Sequence, residues 1–143
     1  MPNINRLKKV QRIFYKSIVS IYCPILKDTV YFTSEGFNHL LYESNRKPRT
    51  INEQYMKLRC LTNVPTVIDQ AEFVWETRAV QKKIAGKLKS GLHYALVHEP
   101  IKGRTLRVII EKIGTGKHKF LSVMIHKKEL KRQKTKKRPS GRS

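Results

Sequence analysis

The chain has 143 residues, 39% of them hydrophobic, and its 31 lysines and arginines against 10 aspartates and glutamates give a formal net charge of +21. That length supports one domain with a modest core, and no apolar run reaches the roughly 18 residues that a membrane span needs. The charge is larger than solubility requires and implies a polyanionic partner; no basic helix carries the exposed apolar face needed for insertion at an anionic membrane, so nucleic acid is favoured and a membrane partner is not expected.

From the N-terminus, Ile4, Leu7, Val10, Phe14 and Ile18 recur at helical spacing among Arg6, Lys8, Lys9 and Arg12, which predicts an amphipathic helix over residues 4–18. The same opening stretch is too regularly broken by charge to serve as a secretory signal, so the chain is expected to be cytoplasmic. Cys23 and Cys60 lie in no metal or redox spacing and are expected to be reduced thiols. Pro24 breaks the pattern before "TVYFT", whose β-branched and aromatic residues predict a short strand. A helix over about residues 34–44 follows. On its wheel Phe37, Leu40 and Leu41 share one face, while His39 points nearly opposite, beside Glu35 and Tyr42. His39 therefore belongs to a solvated face or to one turned toward a ligand. Thr50 followed by Glu53 has the capping-box arrangement for a third helix over residues 51–62.

After residue 70 the texture changes. "EFVWETRAV", "LHYALVH", "RTLRVIIEKI" and "KFLSVMIHK" are rich in β-branched and aromatic residues and predict four strands. Residues 81–91 read as a long basic link between the first two, and "EPIKG" as a turn between the next two. Helices first and strands afterwards imply an α+β fold, a four-stranded antiparallel sheet with the N-terminal helices packed on one face, over residues 1–126. Residues 127–143 hold nine basic residues and one acid, which leaves +13 on residues 1–126. Such a tail cannot pack a core; it is expected to be disordered and to grip phosphates without reading sequence, through residues such as Lys131, Arg132, Lys136 and Lys137.

The last hairpin is the most informative stretch. A two-residue loop within Gly114, Thr115 and Gly116 sets Val108 opposite either Leu121 or Val123. Either register puts Leu106, Val108, Ile110, Leu121, Val123 and Ile125 on one apolar face and Thr105, Arg107, Ile109, Glu111, Phe120, Ser122, Met124 and His126 on the other. On the neighbouring strand Leu92, Tyr94 and Leu96 take the apolar parity, so His93 shares the mixed face with Arg107 and Ser122. No metal or cofactor is indicated: His93 and His98 fall on opposite strand faces, and "IGTGKHK" lacks phosphate-loop spacing and joins two strands. No nucleophilic triad is legible. The remaining chemistry uses the nucleic acid's own nucleophile, the RNA 2′-hydroxyl, which attacks the adjacent phosphate once a base takes its proton and cations stabilise the added charge.

The stretches "VYFTSEGFNHLLYESNRKPRTINEQYMKL", "LHYALVH" and "LRVIIEKIGTGKHKFLSVM" together resemble the phage-associated nucleases of the barnase, EndoU, colicin and RelE-like superfold. The resemblance spans residues 20–126 and lies in element order, in the helix bearing His39 and in the terminal hairpin with Ser122. It implies a metal-independent ribonuclease, often the toxin of a toxin–antitoxin or phage-borne system, whose active residues line an open sheet face. His39 corresponds to the family's histidine after the first strand, Arg46 and Arg49 to its phosphate contacts, and Arg107 and Ser122 to its sheet-face polar residues; His93 matches less closely. On this reading His39 or His93 is the general base or acid, with the two roles open. Arg46, Lys47, Arg49, Lys117 and His118 are RNA contacts beside those of the tail. The expected partners are RNA (tRNA, mRNA or the ribosome) and an acidic antitoxin or immunity protein. The alternatives are a non-catalytic, ribosome-associated RNA-binding protein and a helical DNA-binding accessory.

Overall fold

A computed structural model of the protein describes residues 3–127. The expectations for Lys131, Arg132, Lys136, Lys137 and the rest of the tail past Lys127 lie outside the described residues. Helix α1 (Ile4–Ile18) starts where the Asn3 side chain accepts a hydrogen bond from the Asn5 amide at 2.7 Å. It is tied down by two polar anchors. Tyr15 Oη donates to the Thr33 carbonyl at 2.6 Å, and the buried Gln11 amide donates to the Leu58 carbonyl at 2.6 Å. A two-stranded ribbon follows, β1 (Ser20–Cys23) and β2 (Asp28–Tyr31). Helix α2 (Ser34–Leu41) buries Phe37, Leu40 and Leu41 as the wheel requires, and ends three residues earlier than expected when the backbone turns extended at Tyr42. Helix α3 (Ile51–Leu61) begins with the expected capping box, Thr50 and Glu53 each bonding the other's backbone. A further short helix, α4 (Val64–Gln70), has Pro65 in its first turn, where a missing N–H costs nothing, and buries Val64, Val67 and Ile68.

Strands β3 (Val74–Ile84), β4 (Lys87–Ile101), β5 (Arg104–Ile113) and β6 (His118–Ile125) form the antiparallel meander. The class is α+β, but the sheet has six strands rather than four and is mixed, in the order β1-β2-β6-β5-β4-β3. The β1–β2 ribbon joins it through a parallel pairing of only two rungs, Val30 with His118 and Tyr31 with Lys119. The expected basic link is also replaced. Residues 81–90 continue β3 and β4 as a paired ribbon that turns at Ala85 and Gly86.

One face of the sheet meets the helices in a single cluster: Leu96, Leu106, Val108, Ile110, Phe120 and Val123 pack with Phe37, Leu40, Leu58, Leu61, Val67 and Ile68. At about 25 cal/mol per Å² of apolar surface removed from water, this contact is the main source of stability. Past the two-rung pairing, β6 is met by side chains instead of a strand. The buried Lys57 ammonium donates to the Val123 carbonyl at 2.8 Å, and a Cβ on Gly36 would stand 2.6 Å from the Phe120 carbonyl. Glycine is thus what lets α2 close on that edge.

The β5–β6 register begins as one of the two expected, with Val108 opposite Val123 and Ile109 opposite Ser122, then shifts so that Ile110 faces Phe120. Leu121 is the extra residue of a β-bulge, and toward the turn each side chain changes face. Phe120, expected on the mixed face, is 1% exposed in the core and stacks on Phe32, whereas Leu121, expected in the core, is turned to the open side. Leu92, also assigned to the apolar set, is exposed. Cys23 and Cys60 are free and buried, and among the described residues no helix is long and apolar enough to cross a membrane.

Candidate functional site

The open face of the meander carries a cleft of about 350 Å³. Its floor is apolar: Ala95, Ile109, Leu121 and Met124. Its polar groups are Glu76 and Arg78 from β3, His93 from β4 and Arg107 from β5. Strand pleat brings them together, since Arg78 lies directly opposite His93 and His93 directly opposite Glu111, and opposed residues share a face. His93 and Arg107 therefore meet as their alternation predicts.

His93 Nε2 lies 2.9 Å from Glu111 Oε2. Burial works against ionisation of Glu111, but hydrogen bonds from Lys82 and His93 more than reverse it and hold the carboxyl below its ordinary range. An ionised carboxylate can only accept, so Nε2 carries the hydrogen and Nδ1 is the ring nitrogen free to take a proton. The other oxygen of Glu111 accepts from Lys82 Nζ at 2.8 Å, and the same ammonium reaches Glu35 Oε2 at 2.5 Å. Glu35 in turn lies 3.8 Å from His39 Nε2 one helical turn on. A hydrogen-bonded chain, His93–Glu111–Lys82–Glu35, thus runs from one candidate histidine to within 3.8 Å of the other, His39. Burial opposes the charge of Lys82, yet its two carboxylates outweigh this and raise its pKa above the ordinary lysine value.

His39 does not line the cleft with His93 and Arg107. It lines an adjoining groove of about 820 Å³ between α2 and the β3–β4 ribbon, with Glu35, Asn38, Tyr42, Arg46 and Lys82. Burial lowers its pKa, with Arg49 and Lys82 adding to the effect and Glu35 opposing it, so the imidazole is neutral at pH 7. Arg46 lines this groove too, whereas Lys47 lies exposed on the same loop and does not line it. Arg49 is half-buried and its Nε donates to the His39 carbonyl at 2.8 Å, so it holds α2 to its following loop as well as supplying charge.

Across the cleft Arg107 makes a close ion pair with Glu76, whose other oxygen lies 3.5 Å from Arg78. Partial burial works against Glu76 ionising, but the two guanidiniums pull its pKa below the usual value. Ser122 is buried opposite Ile109 and does not line the cleft; the bulge beside it gives that place to Leu121. His118 is no surface RNA contact either. It is 6% exposed, with Nδ1 2.7 Å from Asp28 Oδ2 and its ring against Tyr94, where the β2–β6 pairing covers it. Lys117 remains exposed, its ammonium 4.4 Å from the centre of the Tyr31 ring.

Four functional candidates went unused in the sequence reading: Glu76, Arg78, Lys82 and Glu111. The strand alternation of "EFVWETRAV" contains the first two, and Glu111 was on the mixed face. Lys82 carries no such signal, because the composition of its segment reads as a basic link. Compared with models of known protein families, with curated proteins and with solved structures, the chain matches none.

Proposed function

We propose that the protein is a ribonuclease that cleaves RNA through attack of the 2′-hydroxyl on the adjacent phosphate, with no metal in the step. The observation that carries this reading is the His93–Glu111 dyad, whose histidine lines the same cleft as Arg107 and Arg78. His93 takes the 2′-hydroxyl proton, and Glu111 stabilises the imidazolium that forms. The 2′-oxygen bonds to phosphorus while Arg107 and Arg78, released from Glu76 by the incoming phosphate, stabilise the added charge. The 5′-oxygen leaves with a proton from the imidazolium, so the products are a 2′,3′-cyclic phosphate and a 5′-hydroxyl. His39, neutral and in the adjoining groove, is the second catalytic candidate, with Arg46 beside it for the flanking phosphate. The wider setting is a cytoplasmic toxin of the barnase and RelE-like kind that acts on tRNA, mRNA or the ribosome and is held in check by an acidic antitoxin; the net charge of +21 supports both partners.

The test is incubation of the purified protein with single-stranded RNA in EDTA, with analysis of product ends. His93→Ala and Arg107→Ala should each lower the rate by about 10²-fold or more while RNA affinity falls far less. His39→Ala should also lower the rate and leave binding intact. A second reading, a non-catalytic RNA binder, is favoured by one feature: Glu76 occupies both cleft guanidiniums in the free protein. Tight binding with intact RNA at high protein concentration would select it.

A further inference from the structure

Of the ribbon at residues 81–90 only Lys82 and Lys83 reach the site described, both lining the groove of His39. Of the ribbon's four rungs, Gln81 with Ser90, Lys82 with Lys89, Lys83 with Leu88 and Ile84 with Lys87, the first is tied to the β5–β6 turn, the Ser90 carbonyl accepting from the Gly114 amide at 3.0 Å, and the outer three pair only with each other. Pairing of β4 with β5 starts at Gly91 opposite Ile113, so the outer three rungs project beyond the three-stranded part by on the order of 10 Å. An isolated two-stranded ribbon is marginal in water. This one is anchored at its base, where Lys82 holds Glu111 and Glu35, and closed at its tip by Ala85 (φ 52°) and Gly86 (φ 79°), the doubly left-handed turn that matches strand twist.

The side chains say what it meets. Opposed residues share a face, so Lys87 and Lys89 continue the face of Arg78 and His93, while Lys83 points to the other side. All three are exposed and, among the described residues, form no ion pair. Residues 81–90 contain no acid and no aromatic ring. Proteins that hold single strands stack bases on aromatic rings, and this ribbon has none. Free cations on both faces of a narrow projection suit a partner with phosphates on two sides, which is what a double helix presents.

We propose that the ribbon at residues 81–90 grips the phosphates of a double-helical RNA segment beside the cleft, so that the preferred substrate is a single-stranded stretch flanked by a stem. The choice of a stem-flanked substrate rests on the ribonuclease reading; the ribbon's own contact with duplex RNA does not.

The experiment compares wild type with the double variant Lys87→Ala, Lys89→Ala, by fluorescence anisotropy, on 2′-O-methyl RNA of one sequence as duplex and as single strand. The variant should lose about 1.8 from the slope of log affinity against log salt on the duplex, about 0.9 for each phosphate contact removed. Its single-strand affinity and its cleavage of an unstructured oligonucleotide should be unchanged. Equal losses on duplex and single strand overturn the proposal, and so does an unchanged duplex slope. Wild-type binding to DNA duplex tighter than to RNA duplex overturns the RNA assignment, and a variant defect seen only against an acidic polypeptide overturns it in favour of a protein partner. If unmodified single-stranded RNA stays intact with wild type while the duplex defect persists, the nuclease reading fails and the ribbon's role stands.

Discussion

Replacing Lys82 with methionine keeps the aliphatic stem and removes the cation that holds the two carboxylates. The outer pair, with a Glu35 side chain 39% exposed, is solvent-screened and contributes under about 1 kcal/mol. The inner pair differs. The Glu111 side chain is 6% exposed, and without Lys82 its charge is left to His93 alone. Losing a charged hydrogen bond in such a setting costs about 1.5–3 kcal/mol. Lys82→Met should therefore destabilise the protein by roughly 2–3 kcal/mol in urea unfolding, a fall of several degrees in Tm. The pH dependence carries a sign. A carboxyl whose folded pKa is depressed contributes above its ordinary value of 4.5, and that contribution is lost as pH falls through the folded value. An amine whose folded pKa is raised contributes below 10.5, and loses that contribution as pH rises through the folded value. The stability gap between wild type and variant should thus be flat from about pH 5 to 10 and narrow on either side. Adding Glu111→Gln should return about 1–2 kcal/mol, the coupling expected of neighbours in one network. A gap under about 0.5 kcal/mol, or a double variant less stable than the single one by the full cost of Glu111→Gln, would refute the chain as an energetic unit.

Lys57, buried against the Val123 carbonyl, has its pKa pushed down by burial to about 8. The unfolded chain binds the extra proton, so wild type should gain up to about 3 kcal/mol relative to Lys57→Met between pH 8 and 10.5, read from urea midpoints at each pH. Phe120→Ala should cost about 3–5 kcal/mol and Leu121→Ala about 1 kcal/mol, because the bulge buries the first and turns the second to the cleft; the reverse order would mean unbroken alternation. In Gly36→Ala the new Cβ would meet the Tyr15 hydroxyl at 2.5 Å and the Phe120 carbonyl at 2.6 Å. A loss of about 2–3 kcal/mol is expected by thermal unfolding, and a neutral result would show that α2 can back away from β6.

Features that one helix or strand decides locally are legible in the sequence. The buried face of α2, the capping box of α3 and the sharing of one sheet face by His93, Arg107 and Glu111 follow from what each segment carries alone, whereas α1, expected to turn Val10 inward with its apolar stripe, leaves it 54% exposed and buries Gln11 and Tyr15 instead, because polar anchors on distant elements fix its roll. The position of His39 opposite the apolar face of its helix is of the same kind, and its partner Glu35 lies one turn away. Tertiary structure decided whatever depends on residues distant in the chain. The bulge at Leu121 answers to a core that has room for Phe120, a volume set jointly by Tyr15, Phe32 and the backbone at Gly36. His118 looked like a loop cation until the two-rung pairing with β2 covered it and brought Asp28, 90 residues away, to its ring. Lys82 belongs to the site only because the ribbon pairs and its ammonium meets one carboxylate from β5 and another from α2. Periodicity is a property of one strand or helix and can be read from it, whereas a charge finds its partner through packing, where the burial of a carboxylate makes an ammonium in reach worth several times what it is worth in water.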